Sequence, residues 1–294
     1  MPDPVPIIDS LGHIATRQQL IAHGCSGYDL TRAVRLGRIR RVRQARYATP
    51  SAPWAAIEAT RVGGLLAGPS AASSYGLWSG FDARLHISVG ANSSRLRTNV
   101  APSFRPPSLT PDISSRPVVV HWLEGGAVPE QGPECWRVSL ADCLRQVVAW
   151  CDRETAVACL DTALSVYRIP RPELLGLFDG ASPLARRTAL RCRSGSESGL
   201  ESLVRQRLGQ HGFPVRQQVE FAGVGRVDMA LLGTRILIEL DGREHHAGAF
   251  ERDRWRDAEL ASRGYTVLRL SYERVTRDWS WCLRVISQAA ATRR

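Results

Sequence analysis

The chain contains no lysine: all 39 basic residues are arginine, against 28 acids, for a formal net charge of +11. The lack excludes a lysine proton-transfer base anywhere in the protein. Arginine, always charged, binds phosphate through a forked, bidentate geometry instead. Such an arginine-only composition fits a GC-rich genome. There is no CxxC pair among the seven cysteines, and the eight-residue steps from Cys135 to Cys159 are not a zinc spacing. They read as small core residues. No run of about 18 apolar residues occurs, which excludes an obvious membrane helix. The opening Met1-Pro2-Asp3-Pro4 lacks the basic start and apolar run of a signal peptide. The expectation is a cytoplasmic protein.

What is present is an ordinary globular composition, 44% hydrophobic and 23% charged, over 294 residues. That length predicts two or three domains. The positive balance points first to nucleic acid, the bland reading being general solubility. Residues 1–50 hold eight arginines against three aspartates and no glutamate. Here Thr16 to Ile21 and Ser26 to Leu36 read as two short helices, Gly37 as a cap, and 38–48 as a basic hairpin. Two short helices followed by a basic hairpin predict a winged helix-turn-helix domain over 1–50. Its phosphate contacts would be Arg38, Arg40, Arg41 and Arg43. A small interaction domain with a solvated basic wing is the plainer alternative.

Residues 51–185 form the second predicted domain, α+β, with helices from Trp54 to Leu66, from Ser70, at 139–150 and at 153–166. Strands are expected at Leu85–Val89 and Val118–Trp122, and 101–117 is a Pro/Ser-rich loop. The stretch from Ser182 to Ser196 reads as a basic linker, with Arg186, Arg187, Arg191 and Arg193 lying along a phosphate backbone. The third domain, 186–294, predicts helix 198–210, strands 215–221, 226–232 and 235–241, helix 250–263 and a last strand from Tyr265 to Leu270. Overall the fold class is α/β (α+β).

Gly233-Thr234 reads as a two-residue type II′ turn. Residues whose numbers sum to 467 then face each other, which sets Asp228 opposite Glu239, with Asp241 on the same face. Opposed carboxylates repel, and the strands around them are apolar. A divalent cation would neutralise them, and hard oxygen ligands suit Mg2+ or Mn2+. Solvated strand ends, or pairing with arginines such as Arg226, would explain the acids equally well. Asp253 and Asp257 interleave with Arg252 and Arg256, the pattern of a salt-bridged helix face. Arg269, in an apolar strand, should pair with an acid or contact phosphate. Glu201 after Ser198 is a capping-box spacing as well as a candidate inward acid.

Val227-Asp228, Ile238-Glu239-Leu240-Asp241-Gly242, His245, Arg252 to Asp257 and Gly264 to Arg269 follow one another in an order that resembles small endonuclease-like domains related to very-short-patch repair endonucleases. That family has the PD-(D/E)xK nuclease fold. The resemblance covers about 80 residues. It implies a restriction-endonuclease-like mixed sheet flanked by helices, metal ligation by Asp228, Glu239 and Asp241, and catalytic roles for these three with His245 and Glu201, the last matched by Ser198-Gly199-Leu200-Glu201 and Pro214. His246 is a secondary candidate. The signature's lysine is absent, and Asp241 stands in its place. Thr16 to Leu20, Leu36 to Val42, Tyr47, Ser70 to Leu77 and Leu85 to Val89 resemble AbiEi-type antitoxins, which are DNA-binding repressors.

Together these features predict a metal-dependent DNA endonuclease, targeted by an N-terminal DNA-binding domain and serving DNA repair or defence. The expected partners are DNA and a toxin-like or repair protein, with no membrane and no small-molecule cofactor. The alternative is a DNA-binding regulator or antitoxin whose nuclease-like domain is inactive.

Overall fold

The structure, a computed structural model, describes residues 2–97, 117–123, 134–241 and 250–291. The chain divides into two compact units, Met1–Cys151 and Asp152–Arg294. Each unit combines helices with sheet, as the sequence predicts.

The first unit opens with helices Pro4–Ser10, Arg17–Ala22 and Gly27–Arg35 around a three-stranded sheet, β1 Ile14–Thr16, β2 Arg40–Arg43 and β3 Arg46–Ala48, in the order β1-β3-β2. Local chemistry starts the second and third helices. Thr16 accepts from the Gln19 N–H while Gln19 returns a bond to the Thr16 N–H, and Ser26 and Asp29 repeat the exchange. Each box satisfies two amides that a helix start leaves orphaned. Ile8, Leu20, Leu30 and Ile39 close a small core beneath.

Helix Trp54–Val62 ends four residues short of the expected Leu66, because Gly63 turns left-handed at φ +107° and Leu65–Leu66 becomes strand β4. Gly64 cannot carry a side chain: a Cβ there would sit 2.2 Å from the Ser88 carbonyl oxygen. Strand β5, Leu85–Gly90, pairs antiparallel with β4 and parallel with β6, Val118–Leu123. Helices Gly68–Ser74 and Leu140–Trp150 belong to the same unit.

In the second unit, helices Arg153–Val166, Arg171–Gly176, Pro183–Ala189 and Gly199–Gln210 precede a four-stranded mixed sheet. Its strands are β7 Val215–Phe221, β8 Gly225–Leu231, β9 Ile236–Asp241 and β10 Thr266–Ser271, in the order β10-β9-β8-β7. β9 and β10 run parallel, joined through helix Phe250–Ser262, and the other neighbours are antiparallel. β9 is buried from Ile236 to Glu239, as expected of a central strand covered on both faces. Helices Tyr272–Arg277 and Trp279–Ala291 follow. Among the described residues no helix is long and apolar enough to cross a membrane.

Two expectations need correction. Residues 182–196 are not a linker. They form helix Pro183–Ala189 and a turn whose Cys192 is fully buried and whose Arg193 N–H bonds to Asp161. The β8–β9 turn is not a two-residue type II′ turn either. Thr234 takes over its closure: its N–H and its hydroxyl both bond to the Leu231 carbonyl, and the hydroxyl accepts the Ile236 N–H. Gly233, at φ +75°, lies second among the central residues of that turn. The four-residue loop keeps the same centre, so Met229 pairs with Ile238 and Leu231 with Ile236, preserving the sum of 467.

Candidate active site

The β8–β9 ladder ends at Met229–Ile238. One step further, where Asp228 would meet Glu239, the regular pairing stops. The Asp228 carboxylate takes the place of a backbone acceptor, with Oδ2 receiving the Leu240 N–H at 2.8 Å. Burial raises the Asp228 carboxyl above the usual range, and Glu197 adds to the rise. The Leu240 N–H, Arg256 and Arg226 oppose it without reversing it.

Glu239 is 8% exposed. Its Oε1 accepts from Arg256 Nη2 at 2.6 Å, and the same guanidinium reaches the Arg226 carbonyl oxygen. An ion pair of this kind should hold the carboxylate ionised. Burial wins nonetheless, reinforced by the neighbouring Asp228 and Asp257 charges, and the Glu239 carboxyl is pushed up to about 7.

Glu201 completes the group from helix Gly199–Gln210. Ser198 caps this helix by accepting the Glu201 N–H. The Glu201 carboxylate does not accept the Ser198 backbone N–H as a capping box would. Its Oε2 accepts the Glu197 N–H at 3.0 Å and the Gln218 amide at 2.7 Å. Burial raises this carboxyl too, with the Asp228 charge contributing. Three acids, Glu201, Asp228 and Glu239, thus form one electrostatically linked chain through Asp228.

Asp241 stands apart from that chain. It pairs with Arg269 at 3.7 Å, and Arg269 is held mainly by Asp257 at 2.9 Å. Asp257 therefore pairs across to β10. His245 and His246 lie outside the described residues, as does the side chain of Asp253.

Two residues in this site were not singled out by sequence reasoning as its components. Gln218, which holds Glu201, has φ +51° inside a strand, where a residue with a side chain is strained. It stands opposite Asp228 at the one step where β7–β8 pairing is interrupted. Nothing in the local sequence signals this. Arg256 was read as one charge of a helix face, and only the packing of that helix over the sheet turns it onto Glu239.

Residues 200–289 match the family model REase_MTES_1575. The C-terminal domain is restriction-endonuclease-like. A 53-residue stretch is 45% identical to a protein of Haemophilus influenzae (strain ATCC 51907 / DSM 11121 / KW20 / Rd) described as "Uncharacterized protein". The stretch is 18% of this chain and covers 44% of that relative, less than half its length. The matched span of the restriction-endonuclease-like domain includes all three linked acids, Gln218, Arg256 and Arg269.

No group of three or more His, Cys, Asp or Glu that could hold a metal is assembled among the described residues. The donor chemistry of the two opposed acids nevertheless suits a hard cation. Asp228 Oδ1 and Glu239 Oε2 carry no hydrogen bond to a described residue, burial raises both carboxyls, and the Asp228 charge raises Glu239 further.

Of the predicted phosphate contacts, Arg40 and Arg41 are exposed on β2, and Arg186, Arg187, Arg191 and Arg193 are exposed in the second unit. Arg38 is ion-paired with Asp3. Arg43 is turned inward: its Nη1 donates to the Arg61 and Val62 carbonyls at 3.0 and 2.7 Å, capping a helix end that needs positive charge. It is unavailable to a backbone phosphate.

Proposed function

We propose that the protein is a metal-dependent DNA endonuclease that hydrolyses phosphodiester bonds. The observation that carries this reading is the linked set of buried acids, Glu201, Asp228 and Glu239, inside a restriction-endonuclease-like domain. A folded protein does not keep three linked, buried carboxylates around its inner strands without a compensating role.

Asp228 and Glu239 would hold Mg2+ or Mn2+ through the oxygens they leave unshared. When bound, such an ion supplies Lewis-acid stabilisation of the charge that develops on phosphate. Arg256, already on Glu239, fixes that carboxylate's rotamer and adds positive charge beside the reacting phosphate. Glu201, held at one oxygen by Gln218 and the Glu197 N–H, offers its other oxygen to orient the attacking water. Water forms the new P–O bond as the bond to the leaving sugar oxygen breaks, and that oxygen takes up a proton. His245 is the residue we assign to proton handling. Asp241 supports the site through Arg269 rather than as a ligand.

Targeting falls to the N-terminal domain, which we read as a winged helix-turn-helix whose Arg40 and Arg41 face the backbone. The helix order and the basic β2–β3 hairpin support this. A second reading has one specific observation in its favour: Glu239 and Asp241 already have arginine partners, which would suit an inactive nuclease-like domain in a DNA-binding regulator.

Supercoiled plasmid, single strands and mismatched duplexes incubated with Mg2+, Mn2+ or chelator separate the two. Cutting that requires metal and disappears in Asp228→Ala supports the nuclease. DNA binding with no cutting of any substrate supports the regulator.

A further inference from the structure

We propose that a groove on the second unit holds a single DNA strand, so that the preferred substrate carries a single-stranded segment beside the bond to be cut. This deepens, and rests on, the nuclease reading above. The groove encloses about 700 Å³, a size typical of ligand sites, and is lined by Arg153, Leu190, Arg191, Arg193, Arg205 and Phe213 among others.

Its walls are built rather than loose. Asp161 is fully buried and spends both carboxylate oxygens on them. It accepts the Arg193 N–H at 2.7 Å, the Ser202 hydroxyl at 2.6 Å and Arg205 Nη2 at 2.7 Å. From the other side Arg171 donates to the Leu190 and Cys192 carbonyls at 2.8 and 3.0 Å. The loop carrying Arg191 and Arg193 is thereby fixed at both flanks. A buried carboxylate is a costly way to hold two helices together, and here it sets the position of groove cations.

The groove seeks an anion. Among the described residues Arg153, Arg191 and Arg193 have no ion-pair partner, and Asp161, the acid on Arg205, is already filled. Phosphate oxygens supply the counter-charge. The groove is also partly apolar. Phe213 is half-buried in its wall, and Leu190 and Leu232 are 59% and 45% exposed along it. Cations along a backbone path with an aromatic face beside them are the elements that bind unpaired bases. A duplex presents phosphates but keeps its base faces covered.

The groove is close to the chemistry. Val215 lines it, and Gln218 lies three residues further along β7, roughly 10 Å at about 3.3 Å per residue. Arg205 is one helical turn beyond Glu201.

The test uses full-length Asp228→Asn protein, so that binding is read without cleavage, and fluorescent DNA at fixed salt. One probe is a blunt duplex and the other is the same duplex with a short single-stranded tail. The proposal expects the tail to tighten binding about 10-fold. Phe213→Leu should remove about 5-fold of that gain, as expected for one lost stacking partner. Arg191→Gln/Arg193→Gln should abolish the gain and spare the blunt probe. Equal affinity for both probes, or equal weakening of both by the arginine variant, overturns the groove assignment while leaving the nuclease reading intact. Failure to bind either probe overturns both.

Discussion

Glu239→Gln is expected to stabilise the metal-free protein, and only above a defined pH. Ionising a carboxyl whose pKa has moved from 4.5 to about 7 costs the fold ~3 kcal/mol, at ~1.4 kcal/mol per pH unit. The side chain remains 11% exposed, so water relaxes part of this and ~2 kcal/mol is the figure to test. The sign follows from the direction of the shift. A carboxyl raised on folding contributes stability that is complete below pH 4.5 and lost as pH rises through 7. Wild type and Glu239→Gln should therefore match near pH 5 and diverge by pH 8, with the variant the more stable. Glutamine keeps an oxygen for Arg256, so the hydrogen bond survives and only the charge is removed. Urea unfolding in chelator, with amide exchange on Ile236–Leu240 to isolate the second unit, measures the difference. A variant at least ~1 kcal/mol less stable at pH 8, or a difference independent of pH, would refute the reasoning, because the Arg256 ion pair would then outweigh burial.

Gln218→Gly should lower stability by ~1 kcal/mol, since the lost bond to buried Glu201, worth ~1.5–3 kcal/mol, outweighs the ~1 kcal/mol of strain relieved at φ +51°, and should lower cleavage ~10–100-fold; unfolding and cleavage rates on the same preparation check both halves. Asp161→Ala should cost ~3–5 kcal/mol by leaving Arg205 buried and unpaired, seen as an early urea transition of the second unit. Gly64→Ala should destabilise the first unit by ~3 kcal/mol, because its methyl meets the Ser88 carbonyl, and should leave the unfolding of the second unit unchanged.

Much of the restriction-endonuclease-like domain was legible in the sequence because its signals are local. Glycine at 233 between two apolar runs set the hairpin centre, and the period of two then placed Asp228 toward Glu239. The helix start at Ser198 and the stop at Gly264 are capping chemistry within a few residues. What escaped depends on contacts distant in sequence. Residues 182–196 looked like a linker because four arginines are interspersed with small and polar residues there, and only Asp161, far upstream, fixes the Arg193 amide. Gln218 acquires its role from a backbone kink that its own identity does not favour. Arg43 resembled its exposed neighbours Arg40 and Arg41, yet the register shift between Arg41 and Arg43 and the open carbonyls at the end of helix Trp54–Val62 turn it inward. The pairing of Arg256 with Glu239 requires a helix to be laid over a sheet, which periodicity alone does not specify.

The most direct test of the central claim is a calorimetric titration of Mn2+ into the full-length protein near pH 6.5, beside Asp228→Asn and Glu239→Gln. The account predicts that wild type binds the ion and releases protons on doing so, because Glu239 is largely protonated at that pH, and that both variants lose binding and cleavage together. Binding that survives in both variants, or cleavage by wild type in chelator, would contradict it.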